Sequence, residues 1–283
     1  MTVATEPSVV QSAPRRCLTT IEAAITILVR PARGNVRDAS TRFLPVTWQQ
    51  FGVAAGAVLA VFFFVMIFVD AAAIRGVAHL PRWLVWFFDQ ITDYGKSGWF
   101  LWPLGLLFVA LAALPAMLPR VQQLVLATIM VRVGFLFVAI GVPGLFDTII
   151  KRMIGRARPL TTGVVDPYVF RPFIWRADYA SLPSGHATTA FAALVAIGTL
   201  WPRARTVMWI YALLIAASRI VVTAHFPSDV LAGAVVGTAG ALMVRRWFAL
   251  RHLGFSLGPD GAVHLWPGPS LRRIKAVARG LLA

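Results

Sequence analysis

Apolar residues run without a charge from Phe51 to Val69 and stop at Asp70. A run of that length, about 20 residues, is what a helix needs to cross the hydrocarbon layer of a bilayer. The pattern returns at about 99–118, 124–150, 184–201, 206–223 and 228–244. Six such runs predict an all-α fold, a polytopic membrane helix bundle of about six transmembrane helices. Arg132 and Asp147 interrupt the third run, and Arg245 and Arg246 close the sixth. Between the first two, residues 81–98 mix Trp83, Trp86, Phe87 and Phe88 with Arg82, Asp89, Asp93 and Lys96. That segment is too polar to span and predicts an amphipathic helix lying in the membrane interface. Residues 20–29 suit either a short surface helix or a partly ordered tail.

Composition agrees with a membrane protein. The 283 residues are 58% hydrophobic and 13% charged, whereas a soluble domain carries roughly 25% charged residues. The net charge of +16, from 27 Lys and Arg against 11 Asp and Glu, points to basic loops and tails facing anionic headgroups. No basic, aromatic-interleaved surface domain suggests nucleic acid as a partner. Cys17, the single cysteine, excludes an intrachain disulfide, and no His, Cys or carboxylate set has metal-ligand spacing, so no cofactor is expected. The N-terminal stretch lacks the pattern of a cleaved signal peptide. The expected division is a basic cytoplasmic tail over 1–48, a membrane domain over 49–246 and a second basic cytoplasmic tail over 247–283. Oligomeric state is not legible.

Six spans put both tails on one side, together with Arg120, Arg203, Arg205, Arg245 and Arg246, and the positive-inside rule makes that side cytoplasmic. Lys151, Arg152, Arg156, Arg158, Arg171, Arg176 and Arg219 then fall on the other side against the rule. An anion-binding site there would explain them.

Three stretches supply such a site. In Lys151-Arg152-Met153-Ile154-Gly155-Arg156-Ala157-Arg158-Pro159, a helix would bring Lys151 and Arg158 onto one face, two turns apart, before Pro159 ends it. Alone, this reads more readily as an ordinary basic helix end at a membrane surface. Pro183-Ser184-Gly185-His186 opens an apolar run. Ser184 suits a helix cap, Gly185 lets backbone approach a ligand, and a helix start offers free N–H groups to an anion. His186 in that first turn can deliver a proton to a leaving oxygen. Alone, this reads equally as a capped membrane helix with an interfacial histidine. The third stretch places Ser218 and Arg219 before His225, with Asp229 four residues further on. A carboxylate there can take a hydrogen bond from one imidazole nitrogen and leave the other free to attack phosphorus. Asp229 also suits a simple complement to the helix dipole, but an arginine inside IAASRIVVTA is costly without a partner. All three stretches fall at adjoining helix ends on one side of the membrane.

KRMIGRARP, PSGH and SRIVVTAHFPSD together resemble the signature of the membrane-bound type 2 phosphatidic acid phosphatases, which reads K-x6-R-P, P-S-G-H and S-R-x5-H-x3-D. The resemblance covers roughly residues 50–245. It implies a six-helix bundle and metal-independent hydrolysis of a lipid phosphate through a phosphohistidine. By position it makes His225 the nucleophile, Asp229 its orienting partner and His186 the general acid. It gives Lys151, Arg158, Arg219, Ser184 and Gly185 the phosphoryl oxygens.

A haloperoxidase-like vanadate site and a catalytically silent lipid-binding or lipid-moving protein are the competing readings. The second would be expected to lack His186, His225 or Asp229. The substrate stays open among phosphatidic acid, phosphatidylglycerol phosphate, undecaprenyl pyrophosphate and a lipid A phosphate. Residues 160–182, with Arg171 and Arg176, are the segment expected to shape headgroup choice. The Ala/Arg-rich composition suits a bacterial protein, and the loop charges then put the site on the periplasmic side of its inner membrane.

Overall fold

Helix α7, Gly185–Leu200, lies against α9, Pro227–Leu250, along a seam of small side chains in the computed structural model, which describes residues 13–29, 46–114 and 119–282. Ala187, Ala190, Ala192, Ala193 and Ala196 of α7 are fully buried. A Cβ on Gly237 of α9 would collide with the Thr188 carbonyl oxygen of α7, so glycine is required there for the two backbones to meet. Small residues are how membrane helices approach closely, because lipid tails provide no hydrophobic drive between them. Helices α6 (Arg120–Ile154) and α8 (Arg205–Val221) flank this pair.

The first span begins at a capping box, in which Thr47 accepts from the Gln50 N–H and the Gln50 side chain accepts from the Thr47 N–H. It comprises α2 (Trp48–Phe64), a π turn over Val65–Val69 and α3 (Asp70–Val77), a continuous run of 30 residues. The sequence pattern ends this span at Asp70. Instead the helix continues, because the carboxylate turns inward and is wholly buried. Helix α4 (Arg82–Thr92) leaves Trp83 and Trp86 exposed, and a 3-10 turn over Asp93–Gly95 leads into α5, Gly98–Ala113. The expected end of the second span, 115–118, lies outside the described residues, as does most of the N-terminal tail. Within that tail, Ala13–Val29 forms helix α1.

Among the described residues, five helical runs are long and apolar enough to cross a membrane, and two shorter apolar helices, Cys17–Ile27 and α7, accompany them. The polytopic helical bundle follows. The sixth expected span does not stop at Arg245 and Arg246 but continues to Leu250. Arg246 is buried and donates to the Gly261 carbonyl at 2.8 Å, while Arg132, inside α6, donates to the Trp266 carbonyl at 2.7 Å. Both carbonyls belong to a segment built on an antiparallel hairpin, β1 (Phe255–Leu257) with β2 (Val263–Leu265), in which Phe255 pairs with Leu265. Phe255 packs its ring 4.9 Å from that of Phe135, which also meets Phe248 at 5.5 Å. Helix α10 (Leu271–Leu282) follows and touches α6.

Candidate active site

At the far end of α6 the chain departs from the helix that the Lys151 to Arg158 spacing suggests. The helix stops at Ile154, and Gly155 takes a left-handed conformation with φ of 64°, which glycine tolerates without strain. Residues 156–158 are extended instead. Arg156 bridges Phe170, the Ala157 N–H reaches the Val169 carbonyl, and the Arg158 N–H reaches that of Asp178 at 2.7 Å. Lys151 and Arg158 therefore arrive at the site from a helix and a strand-like segment, not from one helical face. Lys151 is held by Asp147, one turn earlier, with Nζ to Oδ2 of 2.6 Å.

Ser184 occupies the N-cap position of α7, yet its hydroxyl makes no capping hydrogen bond. Its carbonyl accepts from the Thr188 N–H at 2.9 Å, while its Oγ is buried without a partner. A Cβ on Gly185 would stand 3.1 Å from Lys151 Nζ and 3.1 Å from Asp147 Oδ2. The first turn of α7, with its unpaired N–H groups, thus opens beside Lys151. His186 follows at the same helix start, packed against Gly95 of the 3-10 turn.

The third stretch is locked from several directions. Arg219 is buried, and its Nη1 donates to Thr92 Oγ1 at 2.5 Å, which also accepts from Ser218 Oγ at 2.9 Å. The His225 N–H returns to the Arg219 carbonyl at 3.1 Å. His225 Nδ1 lies 2.8 Å from the Ser181 carbonyl oxygen. A carbonyl only accepts, so Nδ1 carries the proton and Nε2 keeps its lone pair. The expected direct hydrogen bond from His225 to Asp229 is not made, since the nearest approach is 3.9 Å. Asp229 is saturated otherwise. It accepts from Arg156 at 2.5 Å, from Ser181 Oγ at 2.6 Å and from the Phe226 N–H at 2.9 Å. The carboxylate fixes the two backbone segments that frame the imidazole rather than the imidazole itself.

Burial holds the His225 imidazole well below its ordinary pKa, and the neighbouring charges of Arg219, Arg158 and Lys151 add to this. The ring is therefore neutral near pH 7, the state in which it is a nucleophile. Burial likewise lowers Arg158, against the pull of Asp178 and Asp229. Three buried polar atoms converge here without partners, namely Arg158 Nε, Arg219 Nε and Ser184 Oγ. Such atoms are costly unless a ligand satisfies them. Donors and cations of this kind are what a phosphoryl group takes.

The structure thus brings together Lys151, Arg158, Ser184, Gly185, His186, Arg219, His225 and Asp229. Sequence reasoning missed Arg156, Ser181, Asp70 and Thr92 as parts of the same assembly. Asp70 carried a signal, a carboxylate within an apolar run. Arg156 was masked by three neighbouring cations, and nothing marks Ser181 or Thr92.

An integral membrane phosphohydrolase is the class that this bundle and this anion pocket define, and the family match and the sequence relatives agree. Residues 132–253 match the PAP2 superfamily. The lipid A 1-phosphatase of Rhizobium johnstonii is 34% identical over 180 residues, 63% of this chain and 72% of that protein. The lipid A 1-phosphatase of Rhizobium etli is also 34% identical over 180 residues and is covered to 76%. A PAP2-type phosphatidylglycerolphosphate phosphatase from Bacillus subtilis superposes with a TM-score of 0.47 at 18% identity, over 67% of this chain and 92% of that one. The chain belongs to the PAP2 superfamily. It is a membrane lipid phosphatase, a hydrolase of phosphoric esters.

Proposed function

We propose that the chain removes the 1-phosphate of lipid A, or of a closely related glycolipid, through a phosphohistidine at His225. The observation that carries the chemistry is the Nδ1–H of His225 donated to the Ser181 carbonyl. It leaves Nε2 as a neutral nucleophile among Lys151, Arg158 and Arg219. In the first half-reaction Nε2 bonds to phosphorus while the bond from phosphorus to the lipid oxygen breaks. His186, charged once the bound phosphate anion offsets the surrounding cations, gives its proton to that oxygen. In the second, His186 takes a proton from water, the hydroxide attacks phosphorus, and the phosphorus–nitrogen bond breaks to release inorganic phosphate. Lys151, Arg158, Arg219, Ser184 and the Gly185 N–H hold the equatorial oxygens, where charge concentrates in the transition state. The lipid assignment draws on the two relatives' names.

The site is assigned to the face away from the cytoplasm of a bacterial inner membrane. Arg120, Arg203, Arg205, Arg245 and Arg246 lie at the opposite ends of the helices, as the positive-inside rule asks. The tails over 1–48 and 247–283 are assigned to the cytoplasm on the same ground.

Purified protein in detergent tests the reading against lipid A, phosphatidic acid, phosphatidylglycerol phosphate and undecaprenyl pyrophosphate, with chelator and with vanadate. Lipid A should be turned over fastest, activity should survive chelation, and vanadate should inhibit. His225→Ala should lose more than about a thousandfold in kcat, and an acid-labile phosphohistidine should vanish with it. Preference for another lipid would overturn the substrate, and substantial residual turnover in His225→Ala would overturn the mechanism. Single cysteines near Val164 and Ala204, in a Cys17→Ser background, test sidedness. An impermeant thiol reagent should label the first in intact cells and spare the second.

A further inference from the structure

Asp70 lies 155 positions before His225 in the chain and outside the stretch that matches the family, yet it is built into the frame of the site. We infer that Asp70 and Arg156 are positioning residues for the nucleophile, coupling the first membrane span to the reaction centre. The inference rests on His225 being the nucleophile, as proposed above.

The geometry is complete on every side. Arg156, Asp70, Asp229 and Ser228 are all fully buried. Arg156 Nη2 donates to Asp70 Oδ2 at 2.7 Å, Nη1 donates to Asp229 Oδ1 at 2.5 Å and to Ser228 Oγ at 2.7 Å, and Nε donates to the Pro167 carbonyl at 3.0 Å. Asp70 in turn accepts from the Ser228 N–H at 2.9 Å and from Ser228 Oγ at 2.5 Å. The Ser228 N–H is one of the unpaired donors at the start of α9, so a carboxylate from the first span caps the helix that carries Asp229. Rings of Phe226 and Phe170 close the guanidinium in, at 4.6 Å and 5.8 Å.

The path to the imidazole is short. Asp229, fixed by Arg156, accepts from Ser181 Oγ and the Phe226 N–H, and the Ser181 N–H donates to the Arg156 carbonyl at 3.1 Å. Ser181 presents the carbonyl that holds His225 Nδ1, and Phe226 is the residue after His225. Charge points the same way. Two carboxylates around one guanidinium compensate its charge, so the frame adds no further cation to those of Lys151, Arg158 and Arg219 around the ring.

A span needs no such device simply to sit in lipid. Across α2, the π turn and α3, Met66, Asp70 and Ile74 are the buried residues among those described. Their spacing of four makes one narrow stripe, and Asp70 is its polar centre. The π turn over Val65–Val69 ends at Asp70, and π bulges in helices often mark functional positions. A carboxylate is expensive inside a membrane span, and a contact made only for packing would be met by an aliphatic side chain.

The test measures Asp70→Asn and Ser228→Ala beside wild type and His225→Ala, on whichever lipid of the panel wild type hydrolyses fastest. Readings are kcat, KM and the single-turnover rate of phosphohistidine formation, each per mole of protein eluting as one species in detergent. For Asp70→Asn, kcat and the phosphorylation rate should fall together by about ten- to a hundredfold, as happens when a partner behind a metal-bound imidazole is removed, with KM little changed. Ser228→Ala should lose severalfold in kcat. A purely structural role would reduce the yield of folded protein and leave kcat per folded molecule intact. That outcome, or wild-type kcat in both variants, overturns the inference. If Asp70→Asn does not fold, Ser228→Ala decides alone, a wild-type kcat overturning the inference and a severalfold loss supporting it. A fully active His225→Ala would instead sink the underlying mechanism.

Discussion

Arginines tie down both ends of this molecule, but they bond to different kinds of acceptor. At the phosphate end Arg156 is gripped by two carboxylates, Asp70 and Asp229. At the other end Arg132 and Arg246 donate to the backbone carbonyls of Trp266 and Gly261. Carbonyls neutralise no charge, and they suffice where an arginine only ties a hairpin to the bundle. Carboxylates are used where charge must be placed. Asp70, Asp147 and Asp229 are the buried carboxylates among the described residues, and all three stand at the phosphate end. One end is built for cohesion and the other for a defined field around an anion.

Removing the central cation should break this comparison most sharply. Arg156→Met leaves two buried carboxylates unpaired, which should cost about 3–5 kcal/mol and abolish turnover, as read by thermal unfolding in detergent and phosphate release. Next in size is Gly155→Ala. The left-handed backbone and the crowding of the new methyl on the Arg171 carbonyl should together cost about 2–4 kcal/mol, lowering the thermal midpoint and kcat together, because the turn aims Arg156 and Arg158. Arg132→Gln sharpens the contrast. It should lose about 1–2 kcal/mol while kcat per folded molecule stays at the wild-type value, since that arginine lies outside the phosphate pocket.

The smallest effect is one of pH. His225 is buried neutral with its pKa depressed, so below about 6.5 the unfolded chain binds a proton at this ring that the folded chain does not. Its contribution to stability is therefore present above about pH 6.5 and is lost as pH falls toward the depressed folded value. The thermal midpoint of wild type, relative to His225→Asn, should decline between about pH 7.5 and about pH 5.5. A constant difference would contradict a buried neutral imidazole.

The apolar runs determined the membrane bundle and its approximate spans, because a bilayer demands long uncharged helices and the sequence must supply them locally. The three motifs determined the composition of the phosphate pocket, since each stands at a helix boundary that its own residues write. Boundaries themselves were less legible. Asp70 and Arg246 read as stops, yet both sit inside helices, because partners distant in sequence satisfy them. The helix expected through Arg158 ends at Ile154, because residues 156–158 find hydrogen-bond partners in 169–181. Only the tertiary structure decided what holds His225. Spacing puts Asp229 one helical turn from His225 and suggests a direct bond, whereas folding gives that carboxylate to Arg156, Ser181 and Phe226 and hands the imidazole to a backbone carbonyl. A backbone acceptor has no residue type by which a sequence can announce it, and a carboxylate 86 positions from its guanidinium partner is chosen by packing rather than by spacing.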